Sequence, residues 1–311
     1  MSAAAIPLSH TFLSSLEHSM ESDMTSTPSP AQPTARSARR SRGTLAPSSV
    51  GTGRQTLLHS LHSEWIKLRT LRSTWITAGI ALLITAGFGA AIVIGMDHLG
   101  RPDSWTQVVG GLQIGQIVVA VLGALAITGE YSSGQIRSSL AAVPRRGRLL
   151  LAKATVLSLF SFLLGALSII TAWVISVLVI GDAAGSLADA EYLGFVWGAG
   201  LAYAGTALLA MGLGFLLRST AGAITAVFSL LFVIDIPLSL AVLKWEWINN
   251  IRAFEPLPLS GSVYDPFEHL VQWGQPGTQL FLEHWQACLG FAAWAILPVV
   301  IAAIVFSRRD A

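Results

Sequence analysis

The chain has 311 residues, 53% of them hydrophobic and 12% charged, with a net charge of +2 and a mean hydropathy of +0.63. A soluble domain carries about 25% charged residues, so the deficit excludes an ordinary soluble enzyme and points to a polytopic membrane protein, each span needing about 20 largely apolar residues. A single cysteine, Cys288, excludes an internal disulfide and a Cys-based zinc site, and the 7 histidines fall in no metal-binding pair of the H-E-x-x-H kind.

Residues 1–54 are rich in Ser, Thr, Pro, Ala and Arg. Such a stretch buries too little apolar surface to offset ordering entropy. It lacks the continuous apolar region and small-residue cleavage site of a signal peptide, and is expected to be a disordered cytoplasmic tail. From residue 55 to 72 the pattern becomes helical. At 100° per residue Leu57, Leu58, Leu61, Trp65, Leu68 and Leu71 fall within an arc of about 140°, with His59, His62, Ser63, Lys67 and Arg69 opposite. Glu64 interrupts the apolar arc. A moderately apolar helix with a basic face and a Trp is expected to lie in the membrane interface, in contact with lipid, rather than cross it.

Six apolar runs follow, at about 73–96, 107–128, 149–180, 192–217, 220–243 and 285–306. Assigning alternate connections to the cytoplasm places every Lys and Arg there except Arg101, Lys244 and Arg252, out of 19. That bias predicts a multi-pass plasma-membrane protein with both termini cytoplasmic, because cytoplasmic loops carry the excess of positive charge. The fold class expected is all-α, with six transmembrane helices formed by residues 73–311. Gly111 and Gly115, Gly194 and Gly198, and the series Gly79, Gly87 and Gly95 mark faces where helices approach closely, within one bundle or between two copies. Arg218-Ser-Thr makes a tight hairpin between the fourth and fifth runs. The segment from Lys244 to His284 is semi-apolar, aromatic and broken by Pro; it predicts a long external loop with short re-entrant or interfacial helices.

The polar stretch from Thr128 to Lys153 stands between the second and third runs. It opens with Glu130, carries a helical pattern from Ser132 to Ala142, and is stopped by Pro144, which has no N–H and clashes with the preceding turn. Arg145, Arg146 and Arg148 hold it on the cytoplasmic side. These features predict a short cytoplasmic helix that grips a cytoplasmic partner.

Several of these residues occur together in a known family. Ser63-Glu-Trp-Ile-Lys-Leu-Arg-Thr-Leu-Arg-Ser-Thr-Trp75 resembles the opening of ABC-2 type transporter permeases. Gly129-Glu-Tyr-Ser-Ser-Gly-Gln-Ile-Arg, followed by Val143-Pro-Arg-Arg-Gly-Arg and Ala152-Lys, is similar to that family's connection between its second and third spans. Leu217-Arg-Ser-Thr and the closing Arg308-Arg-Asp-Ala also resemble it, so the likeness covers residues 57–311 apart from the 244–284 segment. The resemblance implies an exporter in which two permease copies, or this chain and a paralogue, form the pathway and a separate ATP-binding cassette subunit docks below. It assigns the coupling helix to Glu130, Tyr131, Gly134, Arg137 and Leu140, and the amphipathic helix beside it to Leu57, Leu61, Glu64, Trp65 and Leu68.

The chain has no G-x-x-x-x-G-K-[ST] loop, so ATP and Mg are expected on the partner and no cofactor on this chain. No constellation of paired acids or histidines suggests an enzyme, and no catalytic residue, metal or nucleic-acid partner is assigned. The alternative is a secondary transporter that uses Asp235, a carboxylate inside the fifth run, for ion or proton coupling; a structural hydrogen bond near the kink at Pro237 is the competing reading. Gln113 and Gln116, three apart on one face of the second run, are read either as lining a pathway or as hydrogen bonding between helices.

Overall fold

A computed structural model describes residues 56–136, 146–267 and 282–308. Among the described residues there are six helical stretches long and apolar enough to cross a membrane: Arg72–His98, Ser104–Ser132, Gly147–Ala184, Ala190–Leu217, Thr220–Val242 and His284–Val305. They agree with the six apolar runs. The second begins earlier than its run because a 3-10 turn, Ser104–Gly111, leads into the helix, and Asp103 and Gly100 hold the left-handed conformations that turn the chain there.

Helix α1, Leu57–Thr70, breaks at Leu71, whose extended backbone turns the chain into α2, Arg72–His98. Helix α3, Leu112–Ser132, and α4, Arg146–Ile180, are the next two spans. Helix α5, Ala190–Leu217, is the centre of the bundle: two-thirds of its most apolar window is buried, and it packs against α3, α4 and α10, His284–Arg308. It can be central because its face is built from small residues. Gly198, Gly200, Gly205, Gly212 and Gly214 each leave room that a methyl group would fill with a neighbour's atoms, so helices approach to backbone contact. At mid-bundle Gly115 of α3 leaves the space in which the Tyr203 hydroxyl meets the Thr85 hydroxyl of α2. That bond joins two spans, against the third, at a buried point, with a polar partner for each hydroxyl.

The glycines of the first span behave differently. A methyl group at Gly79, Gly87 or Gly95 would meet nothing within 4 Å. No described residue fills the space beside them, whereas the Gly111/Gly115 and Gly194/Gly198 pairs do seat neighbouring groups.

Arg218, in a left-handed conformation, ends α5, and the Ser219 hydroxyl accepts the Gly222 N–H at 3.2 Å to start α6, Thr220–Phe228. The fifth span is then interrupted. A π-type turn, Ser229–Val233, precedes α7, Asp235–Val242, and Ile234 N–H bonds to the Ser229 carbonyl at 3.0 Å. Pro237 explains the interruption: it cannot donate to Val233, and its ring would strike that carbonyl in a regular helix. The wide turn absorbs the misfit.

After the fifth span come two short helices, α8, Ile248–Arg252, and α9, Pro256–Tyr264. Helix α9 packs against α5 and α10, and Gly198 of α5 lies directly against the Val263 carbonyl. The expectation of short helices in the 244–284 segment thus has its counterpart in α8 and α9; Trp273 lies outside the described residues.

Candidate functional site

Where the second span ends, four charged side chains from three helices meet. Glu64 and Lys67 come from α1, Glu130 from the last turn of α3, and Lys153 from the first turns of α4. Lys153 Nζ donates to Glu64 Oε2 at 2.7 Å and to Glu130 Oε1 at 2.8 Å. Lys67 Nζ donates to Glu64 Oε1 at 2.7 Å and to Glu130 Oε1 at 3.3 Å. Glu64, Glu130 and Lys153 are buried, and Lys67 is about one-third exposed. Two acids and two bases cancel, which is the condition under which burying four charges is tolerable. Burial disfavours the Lys67 charge, but the bonds to Glu64 and Glu130 outweigh it and its pKa stands above the ordinary lysine value.

This arrangement explains the break in the apolar arc of α1. Glu64 and Ser60 face the bundle, Leu61 and Leu68 are half-buried at its edge, and Leu57 and Trp65 are exposed. The helix therefore packs through a polar seam and turns much of its apolar face outward. A cavity of about 320 Å³ lies beside the seam, between α1, α2, α3 and α4, with Glu64, Glu130 and Lys153 in its lining and Leu71, Leu122 and Leu125 among its apolar walls.

Next to Glu130, Tyr131 points the other way. Its ring packs edge-on against Phe215 of α5, at 6.3 Å between centroids, and the Arg218 guanidinium stacks over it at 5.5 Å. One turn earlier, Thr220 donates to Thr128 at 2.8 Å, tying α6 to α3. The last turn of α3 thus holds α1 and α4 through Glu130 and the α5–α6 hairpin through Tyr131 and Thr128.

The sequence pattern placed Glu130 at the head of a separate cytoplasmic helix. In the structure Glu130 and Tyr131 are the closing residues of the span itself, and both side chains turn into the bundle. Gly134, with φ of +72°, occupies the left-handed position just past the helix end, where Ser133 N–H bonds to Gly129 and Gly134 N–H to Tyr131. A methyl group there would meet no described neighbour within 4 Å, so within this chain the glycine serves the turn. Arg137 and Leu140 lie outside the described residues.

Gln116 meets α9, where the Ser260 hydroxyl donates to its Oε1 at 3.4 Å, whereas Gln113 is exposed. Gln116 is fully buried. Asp235 is paired: Arg252 Nη2 and Nε donate to its Oδ1 at 2.8 and 3.1 Å. Among the described residues no three His, Cys, Asp or Glu side chains come together as metal ligands would.

Lys67, Lys153 and Arg252 escaped the sequence reading as partners. One signal existed: the chain uses Arg almost throughout, and 2 of its few Lys residues, Lys67 and Lys153, complete this cluster. A compact ammonium fits between two carboxylates where a planar guanidinium needs more room.

Residues 58–311 match the family model described as ABC-2 family transporter protein. No curated protein matches the chain.

Proposed function

Because the chain belongs to the ABC-2 transporter family, we propose that it is the membrane-embedded permease subunit of an exporter driven by a separate ATP-binding cassette subunit. It is a multi-pass membrane protein of a transporter family. ATP and Mg are assigned to the partner, and a second permease copy or paralogue to the complete pathway. Both termini and the segment after α3 face the cytoplasm in this reading, in keeping with the charge bias of the loops.

The observation that carries the proposal is the end of α3. A stiff span delivers the chain into the 133–145 segment through a turn whose two flanks are fixed, by ion pairs to α1 and α4 and by an aromatic and hydrogen-bonded seam to α5 and α6. A partner that moves that segment moves several spans at once, and work passes between two sites only if such an element has different contacts in two states. Glu130 then serves as an inward anchor rather than a docking group. Arg137 and Leu140 remain the proposed docking residues, and Leu57 and Trp65 the proposed lipid contacts of α1. Asp235, neutralised by Arg252, is assigned a structural tie.

The test is to purify the full chain together with a candidate ATP-binding cassette subunit. A complex is expected whose ATPase activity differs from that of the free subunit. Arg137→Glu should leave the chain inserted while lowering that effect at least tenfold, since like charges facing each other across a contact cost several kcal/mol and about 1.4 kcal/mol is a factor of ten. Unchanged activity with Arg137→Glu would remove this residue from the contact; failure of any complex to form would remove the partner.

A further inference from the structure

At the opposite end of the bundle from the lysine cluster, Glu255 is buried, yet among the described residues neither of its carboxyl oxygens has a hydrogen-bond partner. It caps α9 by position but not by bonding. The reason lies in the sequence: Pro256 and Pro258 occupy the first and third helical positions, so the amide that a capping side chain most often engages is missing. The backbone that carries the carboxyl is held in place. The Trp294 indole of α10 donates to the carbonyl of Phe254 at 2.9 Å, and Glu255 N–H bonds to the Arg252 carbonyl at 2.9 Å.

Two charged groups act on Glu255, Asp235 of α7 and Arg252 of α8. The elements packed against α9 also carry Glu191, Tyr192 and Tyr203 on α5 and His284 and Cys288 on α10, none of which is among the groups acting on it. Arg252 already spends both of its contacting nitrogens on one oxygen of Asp235. The guanidinium and the Asp235 carboxylate cancel. An ionised Glu255 would add an uncompensated buried negative charge beside a carboxylate, and such a group takes up a proton instead.

We propose that Glu255 and Asp235 form a proton-binding site, in which one proton held between the two carboxyl groups ties the start of α9 to the kinked half of the fifth span. The neutral Glu255 carboxyl supplies the O–H donor that Asp235, with Oδ1 taken by Arg252, can accept. Loss of the proton sets two carboxylates against each other and frees α9 from α7, so the site is a latch on the 244–284 segment that responds to pH. Burial first, then the neighbouring Asp235, push the Glu255 pKa up from 4.5 to about 7. The folded state thus binds the proton more tightly than the unfolded chain does, and the stabilisation is fully present below pH 4.5 and lost as pH rises through about 7. None of this depends on whether an ATP-binding subunit docks at the other end.

The experiment is a pH titration of the full chain in lipid nanodiscs, followed by infrared difference spectroscopy of the protonated carboxyl band. The expected result is a band lost with a midpoint near neutrality, absent in Glu255→Gln, and shifted to lower pH in Asp235→Asn. In parallel, the thermal midpoint of the wild type should fall through that pH range and that of Glu255→Gln should not. A titrating band that survives Glu255→Gln, or no band near neutrality in the wild type, overturns the proposal. A midpoint that Asp235→Asn leaves unmoved overturns the sharing of the proton, and one that follows sodium concentration assigns the site to a metal cation instead.

Discussion

Lys153→Met is expected to destabilise the chain by about 3–5 kcal/mol, the cost of stranding buried charge when one partner of a buried pair is removed. Lys153 is the sole link in the cluster that holds Glu64 and Glu130 while being itself buried. Its removal leaves two carboxylates on Lys67, which is too exposed to neutralise both. Lys67→Met is expected to cost less than Lys153→Met, because Lys153 still holds both carboxylates and the site of Lys67 is open to water. Denaturant-induced unfolding in mixed micelles reads the difference. Combining Lys153→Met with Glu64→Gln should recover part of the loss, because it removes one stranded charge together with its partner. Equal effects of Lys153→Met and Lys67→Met would show that the cluster is not organised around its buried lysine.

The second large effect is steric. Gly123→Ala and Gly165→Ala each place a methyl group 2.4 Å from a carbonyl oxygen of α5, that of Ala207 and of Ala199. Backbone cannot give way as a flexible side chain does, so each should cost about 1–3 kcal/mol, the usual penalty of overpacking. Gly79→Ala and Gly87→Ala, which meet open space, are expected to be neutral or to gain up to about 1 kcal/mol from helix propensity. The thermal midpoints of the four single variants check this ranking.

Those glycines show what a sequence pattern carries and what it does not. Every eighth residue in the first span is Gly as plainly as the paired glycines of the second and fourth are, yet the neighbours differ. Periodicity reports which residues share a face; it does not report what the face meets. The six spans were legible because hydropathy over about 20 residues is a local quantity. The short α8 and α9 were legible in outline from Pro and aromatic residues, but the proximity of Glu255 to Asp235 was not. Glu64 was visible as an interruption of an apolar arc, and its reason was not, since its partner Lys153 lies 89 positions away. Glu130 was singled out for its place between two spans, while its direction, into the bundle, follows from that distant lysine. The π-type turn of the fifth span was hinted at by Pro237 alone.

The central claim is that the segment beyond α3 is where a separate ATP-binding subunit drives this permease. Cross-linking tests it most directly, in membranes that hold both proteins. In a Cys288→Ala background, Gln135→Cys sits one residue past the Gly134 turn, and Trp247→Cys sits at the opposite end of the bundle. A maleimide carrying a photoreactive benzophenone, attached at Gln135→Cys, should join the ATP-binding subunit to this chain on irradiation, with a yield that changes when ATP is bound. Attached at Trp247→Cys, it should leave the chain unlinked. Cross-links through Trp247→Cys, or none through Gln135→Cys while the two proteins still purify together, would contradict the account.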